Sequence, residues 1–210
     1  MSSIIKANEI QNSSGGADVK IQTLKHPSSS SNNLVLASDG SATINQISSS
    51  TVFPAGGTGN PISVAVIADE KGSLTGGGTF TAGAWQTRDL NTEISDADGI
   101  VSIASNQFTL GAGTYLIEWS CPVYVVNRHQ TKLYSITNSS DLAKGTSEYS
   151  DNGNAVQNRS FGAFVHTISA SHTYEIRHYA ITSSTTLGFG VNGGTGINSV
   201  YTLVKISKLK

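Results

Sequence analysis

Phe108-Thr109-Leu110-Gly111-Ala112-Gly113-Thr114-Tyr115-Leu116-Ile117-Glu118-Trp119-Ser120-Cys121-Pro122-Val123-Tyr124-Val125-Val126 is the stretch on which the reading of the fold turns. Side chains alternate faces along a strand, so Tyr115, Ile117, Trp119, Cys121, Val123 and Val125 fall on one side and form a candidate core row. Leu116, Glu118, Ser120, Pro122, Tyr124 and Val126 fall on the other. This second row is too apolar for a plain solvated face, and Leu116, Tyr124 and Val126 are therefore expected at a subunit interface or under a second sheet. Gly111-Ala112-Gly113 supplies the backbone freedom for a turn between Phe108-Thr109-Leu110 and Tyr115. A tight turn feeding a long two-faced strand predicts an antiparallel sandwich.

The composition agrees. Charged residues are 13% of the 210, about half the usual share, and there are 22 glycines among abundant Ser, Thr and Asn. Such a chain favours short strands joined by polar turns over helices. A net charge of −1 gives no broad attraction to nucleic acid or anionic lipid. The apolar runs are too short and interrupted to span a bilayer, so no membrane insertion is expected. Ser2, Ser3, Lys6 and Asn8 leave no room for a signal-peptide apolar region at the start. Cys121 is the only cysteine, which rules out an intrachain disulfide and predicts a small buried hydrophobe.

Residues 1–53 carry brief apolar bursts, Ile4-Ile5, Val19-Lys20-Ile21, Leu34-Val35-Leu36 and Ile44 with Ile47, separated by Ser/Asn/Gly clusters. So little apolar material cannot close a core alone, and the segment is expected to be a β-rich attachment piece ordered by assembly. Residues 54–61, Pro54-Ala55-Gly56-Gly57-Thr58-Gly59-Asn60-Pro61, read as a linker. From Ile62 the strand signals lengthen, through Ile62–Ala68, Thr79–Thr81, Ala84–Asn91, Ile100–Ile103, Lys132–Ile136, Phe161–Ile168, Thr173–Ala180, Leu187–Val191 and Val200–Ile206. Asn138 to Arg159 reads as a long polar loop. About eight strands over 62–210, with turn signals throughout, make this an all-β chain whose larger part is a β-sandwich.

Two resemblances refine this. The phrase Phe108-x-Leu110-x-Ala112-Gly113-x-Tyr115-Leu116-Ile117, with a terminal strand at Tyr201–Ile206, resembles the jelly roll of complement-component and tumour-necrosis-factor-like domains. That resemblance implies a homotrimer packed around one sheet of each sandwich. Ser3-Ile4-Ile5-Lys6-Ala7-Asn8-Glu9-Ile10-Gln11, with Ser38-Asp39-Gly40-Ser41 and Trp85-x-x-Arg88-x-Leu90-Asn91, is similar to phrases in short fibre-like proteins of marine bacteriophages. It implies a non-enzymatic virion protein, a trimeric tail fibre or appendage used for host attachment, docked to other virion proteins through its N-terminal segment. A capsid decoration or head fibre, and a bacterial carbohydrate-binding or adhesion module, are the alternatives.

Motifs for chemistry are sparse. His26, His129, His166, His172 and His178 show no zinc-site spacing, and no Gly-x-Ser-x-Gly elbow accompanies the many serines. Asp96-x-Asp98-Gly99 lacks the downstream Glu of a calcium loop and reads as a turn. Gly56-Gly57-Thr58-Gly59 and Gly193-Gly194-Thr195-Gly196 lack the Lys-Ser/Thr end of a phosphate loop. No catalytic residue, metal or cofactor is assigned. A polysaccharide-cleaving enzyme would need paired carboxylates, and the acidic residues are scattered. Trp85 is expected to be buried, as large aromatics usually are. Tyr149, Asp151, Asn152 and Asn154, in the long polar loop, are the expected contacts to a host-surface glycan or protein.

Overall fold

The computed structural model describes residues 62–151 and 153–209 and, ahead of them, three short strands. The chain divides into two compact units, Met1–Gly59 and Asn60–Lys210. In the first, β1 (Thr23–Leu24), β2 (Leu34–Leu36) and β3 (Ala42–Ile44) form an antiparallel meander in that order. Leu34-Val35-Leu36 is the burst that supplies the middle strand. The linker expected at 54–61 lies outside the described residues.

The second unit holds β4 (Ser63–Lys71), β5 (Gln86–Thr87), β6 (Thr92–Ser95), β7 (Val101–Ala104), β8 (Gln107–Leu110), β9 (Gly113–Tyr124), β10 (Asn127–Ser135), β11 (Ser140–Ser150), β12 (Gln157–Ile168), β13 (His172–Ala180) and β14 (Ser199–Lys208). One sheet has five strands in the order β12-β9-β14-β4-β6. The other has six, β11-β10-β13-β8-β7 with β5 added on β13. From β8 onward the chain crosses between sheets at nearly every connection, and only β10 and β11 follow each other as partners in one sheet. This is the wrapping pattern of a jelly roll.

Strand register turns the alternation of β9 into continuous core rows. Ile117 lies opposite Ile206, which lies opposite Ala65; Trp119 lies opposite Val204, which lies opposite Ile67. From the facing sheet come the pairs Leu133–Ile176 and Phe108–Tyr174, the latter rings stacked at 5.2 Å. These side chains are buried, and enclosing each is worth about 1.5–3 kcal/mol relative to water. The Trp119 indole lies over Gly162 of β12, where a β-carbon would collide with the ring, and donates from Nε1 to Thr131 Oγ1 of the other sheet at 2.8 Å. Only glycine lets the indole reach across the sandwich at that point.

Three expectations change. The 138–159 loop contains β11, an eleven-residue strand. It escapes a pattern reading because it is an outer strand whose residues are mostly polar on both faces. Leu187–Val191 is a run of turns and not a strand, with Gly188 pressed against Phe80 and Gly190 against Tyr201. The alternation of β9 also breaks at its end. Val125 adopts a left-handed φ of 51°, so Val126 turns inward and is wholly buried with Phe80, Val123 and Ala180. Val126 therefore has no surface to offer a neighbouring subunit, and Val125 does not continue the core row.

Candidate functional site

The first candidate surface is the outward face of the five-stranded sheet. Residues that alternate away from the core line up across four strands. One row is Val165, Leu116, Ser207 and Val64; the next is Ala163, Glu118, Lys205 and Val66; the third begins with Phe161, Ser120 and Leu203. Phe161 is 51% exposed, Val165 56% and Val64 40%, an unusual density of bare apolar side chains for a sheet face. The face carries one ion pair, Lys205 Nζ to Glu118 at 3.3 Å. A shallow cavity of about 480 Å³ opens between Phe161, Leu203 and Lys205. Leu116 belongs to this face and is half-buried; Tyr124 sits half-buried at the end of the same strand row.

The outward face of the six-stranded sheet is different. Lys132 Nζ lies 4.1 Å from the centre of the Trp85 ring and 2.7 Å from an Asp141 carboxylate oxygen. Arg177 lies 3.4 Å over the Tyr134 ring and pairs with Glu175. Trp85, expected to be buried, is 40% exposed and tilts against Tyr179 at 5.6 Å. Its indole is covered by the lysine and not by the core. Beside this cluster a groove of about 580 Å³ is lined by Arg128, His129, Gln130, Ser147, Glu148, Tyr149, Tyr179 and Ile181.

Of the residues expected to meet a receptor, Tyr149 is 53% exposed and lines this groove from β11, a strand and not a loop. Asp151 and Asn154 lie in the following turn and are engaged with each other; Asp151 also accepts from the Gly153 amide at 2.8 Å. These bonds to the ionised form hold the Asp151 carboxyl below its usual range. Asn152 lies outside the described residues. Arg128, not singled out in the sequence, and Tyr179 are brought to Tyr149 only by register, Arg128 opposite Tyr149 and Gln130 opposite both Ser147 and Tyr179.

Beneath the groove runs a buried polar chain. Asn158 Nδ2 donates to the Tyr149 carbonyl, which leaves its Oδ1 to accept from His129 Nε2 at 2.7 Å. His129 Nδ1 then accepts from His178 Nε2 at 2.9 Å, and His178 Nδ1 ends as a bare lone pair without a partner among the described residues. Burial pushes both imidazoles toward the neutral form, His178 well below its ordinary value, with Arg88 adding repulsion to both. The Arg88 guanidinium is itself fully buried. It donates to Thr202 Oγ1 at 2.9 Å, the Pro122 carbonyl at 3.1 Å and the Phe189 carbonyl at 3.2 Å, and lies 4.3 Å over the Phe189 ring. The Arg88-x-Leu90-Asn91 phrase is thus structural: Leu90 is core, and Asn91 bonds to the backbone of Glu70.

Other motifs resolve in the same direction. Cys121 is buried, and burial pushes its thiol up. Asp96 accepts from the amides of Ile100 and Val101, both at 2.9 Å, and closes the turn at Gly99. Ser135 Oγ meets His172 Nε2 at 2.7 Å but also accepts from the Asn138 amide, and His172 packs edge-on against His166. Among the described residues there is no cluster of three or more His, Cys, Asp or Glu able to hold a metal ion.

No protein-family model matches the chain, and no curated protein does. Among solved structures it is similar to the globular domain of a zebrafish complement 1qA protein, at 15% identity over 70% of this chain and 98% of that one, TM-score 0.46. It is also similar to the Eiger TNF of S. frugiperda, at 14% identity over 72% and 94%, TM-score 0.49. Murine APRIL gives 9% identity over 71% and 100%, TM-score 0.46. The sandwich stands on the sheet topology of this chain itself.

Proposed function

We propose that this chain is a non-enzymatic structural protein of a bacteriophage particle, a trimeric fibre or appendage displayed for attachment to the host surface. The observation that carries the assembly is the bare apolar face of the five-stranded sheet, centred on Phe161, Val165 and Val64. Three copies follow from the resemblance of Phe108–Ile117 to complement-component and tumour-necrosis-factor-like domains. Packing this face around an axis would remove its apolar groups from water, and the Glu118–Lys205 pair would fix the rotation by penalising mismatched neighbours. The six-stranded face would remain outward, carrying the groove beside Tyr149. The segment before residue 54 would dock to neighbouring virion proteins. Made in the host cytoplasm, the protein would act on the particle surface by binding; His129, His166, His172, His178 and Cys121 are engaged in packing and internal hydrogen bonds.

Light scattering of the purified chain should give the mass of three copies, and immunogold labelling of intact particles should decorate a tail or capsid appendage. A monomer at high concentration defeats the assembly; unlabelled particles defeat the virion assignment and favour a bacterial adhesion module.

A further inference from the structure

At the end of the sandwich where β4 begins and β14 finishes, the gap between the sheets closes in a cavity of about 330 Å³. His166 of β12 and His172 of β13 line it and meet edge to face, ring centres 5.4 Å apart. Each ring is held from inside by a buried hydroxyl. Tyr174 is wholly buried, and its Oη lies 3.0 Å from His166 Nδ1, its one partner among the described residues. Ser135 Oγ, also wholly buried, accepts from the Asn138 amide at 2.9 Å and meets His172 Nε2 at 2.7 Å. A buried hydroxyl that does not donate is costly, so both protons go to the imidazoles. The rings then carry their own protons on the outer nitrogens, His166 on Nε2 and His172 on Nδ1. Neither outer nitrogen has a partner among the described residues, and neither is sealed from solvent. The Thr137 hydroxyl accepts from the Thr173 amide at 2.9 Å, which leaves its proton free, and Ser169 and Ser171 add hydroxyls from the β12–β13 turn. Among the described residues no carboxylate lines the cavity. The titratable groups facing the two rings are each other, Tyr174, Tyr115 opposite His166, and Lys208 of β14, 5.8 Å from the Tyr115 ring. None of them is acidic.

We propose that this cavity binds a tetrahedral oxyanion, a sulfate or phosphate group, held by His166 Nε2–H, His172 Nδ1–H and the Thr137 hydroxyl. Two fixed N–H donors without a neighbouring carboxylate suit an acceptor-only ligand. A metal cation would meet protons where it needs lone pairs. The anion ties β12 of one sheet to β13 and the β10–β11 turn of the other. Burial holds both imidazoles below their ordinary value, so at neutral pH the site binds through hydrogen bonds alone. A bound anion favours the protonated rings, so affinity rises as pH falls. Because the anion is held by both sheets of the folded unit, it also stabilises the fold, and more so in acid. The site lies at the opposite end of the sandwich from Tyr149 and is independent of the attachment reading.

The test is calorimetric titration of the full chain with sodium sulfate, whose charge is constant over the range, at about pH 7.5 and about pH 5.5. Sulfate should bind weakly at the higher pH and about tenfold tighter at the lower, the effect of raising one histidine by a pKa unit. Methyl sulfate separates the two sources of the group: equal binding assigns the site to a monoester, exclusion assigns it to the free ion, and either supports the site. His166→Gln keeps an N–H donor but takes no proton, so it should retain the neutral-pH binding and lose most of the gain in acid. Thr137→Val, at an exposed position, should weaken binding about fivefold at both pH values, the value of one hydrogen bond. Imidazole nitrogen spectra of the free protein at neutral pH should place the proton of His172 on Nδ1 and that of His166 on Nε2. No sulfate binding at either pH, equal affinity at both, or an undiminished acid gain in both His166→Gln and His172→Gln overturns the proposal. So do spectra that place lone pairs on the outer nitrogens together with zinc chloride binding in place of sulfate, which would make this a cation site.

Discussion

The outward faces of the two sheets are built from strands of similar length and the same alternation, yet they present opposite surfaces. On the six-stranded face long cationic side chains lie flat over aromatic rings: Lys132 on Trp85, Arg177 on Tyr134. Their stems cover apolar surface while their heads stay solvated or paired, so the face needs no partner. On the five-stranded face the corresponding positions hold Val, Leu, Ala and Phe161, with a single ion pair among them. Within the described residues of this unit nothing covers them. The five-stranded face is therefore the one proposed to meet another copy.

The change expected to undo both faces at once is Arg88→Ala. Its guanidinium ties Thr202 of β14, the carbonyl of Pro122 in β9 and the 189 turn, while its amide donates to Ile176 of β13 at 2.8 Å. Deleting it leaves buried acceptors unsatisfied, and urea unfolding should show a loss of about 3–5 kcal/mol. A loss below about 1 kcal/mol would mean water takes its place and that Arg88 does not join the sheets.

Phe161→Asp should break one face and spare the other. The three-copy mass falls to one copy by sedimentation, while circular dichroism keeps the strand signature, because Phe161 lies outside the core. Persistence of the full mass would move the interface elsewhere.

Acid should act through the interior between the faces. His129 and His178 are held neutral in the fold, below the roughly 6.5 of an unfolded histidine. As pH falls through that value the unfolded chain takes up protons that the folded chain refuses. Stability is thus complete above about pH 6.5 and declines below it, by up to about 1.4 kcal/mol per pH unit per histidine. Thermal melting from neutral pH downward should show this slope, and His178→Gln should make it shallower. An identical slope in the variant would place the acid sensitivity in His129, His166 or His172.

The smallest effect belongs to Lys132→Met. It removes a cation from Trp85 and from Asp141, whose carboxylate can return to water, so melting should change by no more than about 1 kcal/mol and the assembled mass not at all. A change in mass would show that the six-stranded face also joins subunits.

Much of the sandwich is legible in local pattern. The Tyr115–Val123 row, the 111–113 turn, the Asp96 turn and the buried Cys121 all follow from side-chain alternation, backbone freedom and the habit of a lone thiol. The candidate sites are less so. Tyr149 can be picked as an exposed aromatic, but Arg128 and Tyr179 join it through pairing of strands far apart in the chain. β11 is hidden because a polar outer strand has no apolar period to detect. The burial of Arg88 has no sign in the sequence and arises when four segments close around it, and the left-handed turn at Val125 reverses a row that alternation alone would continue.

By itself, then, the sequence determined that the chain from Ile62 is an antiparallel sandwich with β9 as an interior, two-faced strand, because alternation and turn chemistry act over a few residues. Register, which sums pairings across the whole sheet, decided which outward row is bare and which is covered. It also set His129 against His178 and Tyr149 beside Tyr179. Those are relations between distant segments, and only the closed tertiary structure brings them within bonding distance.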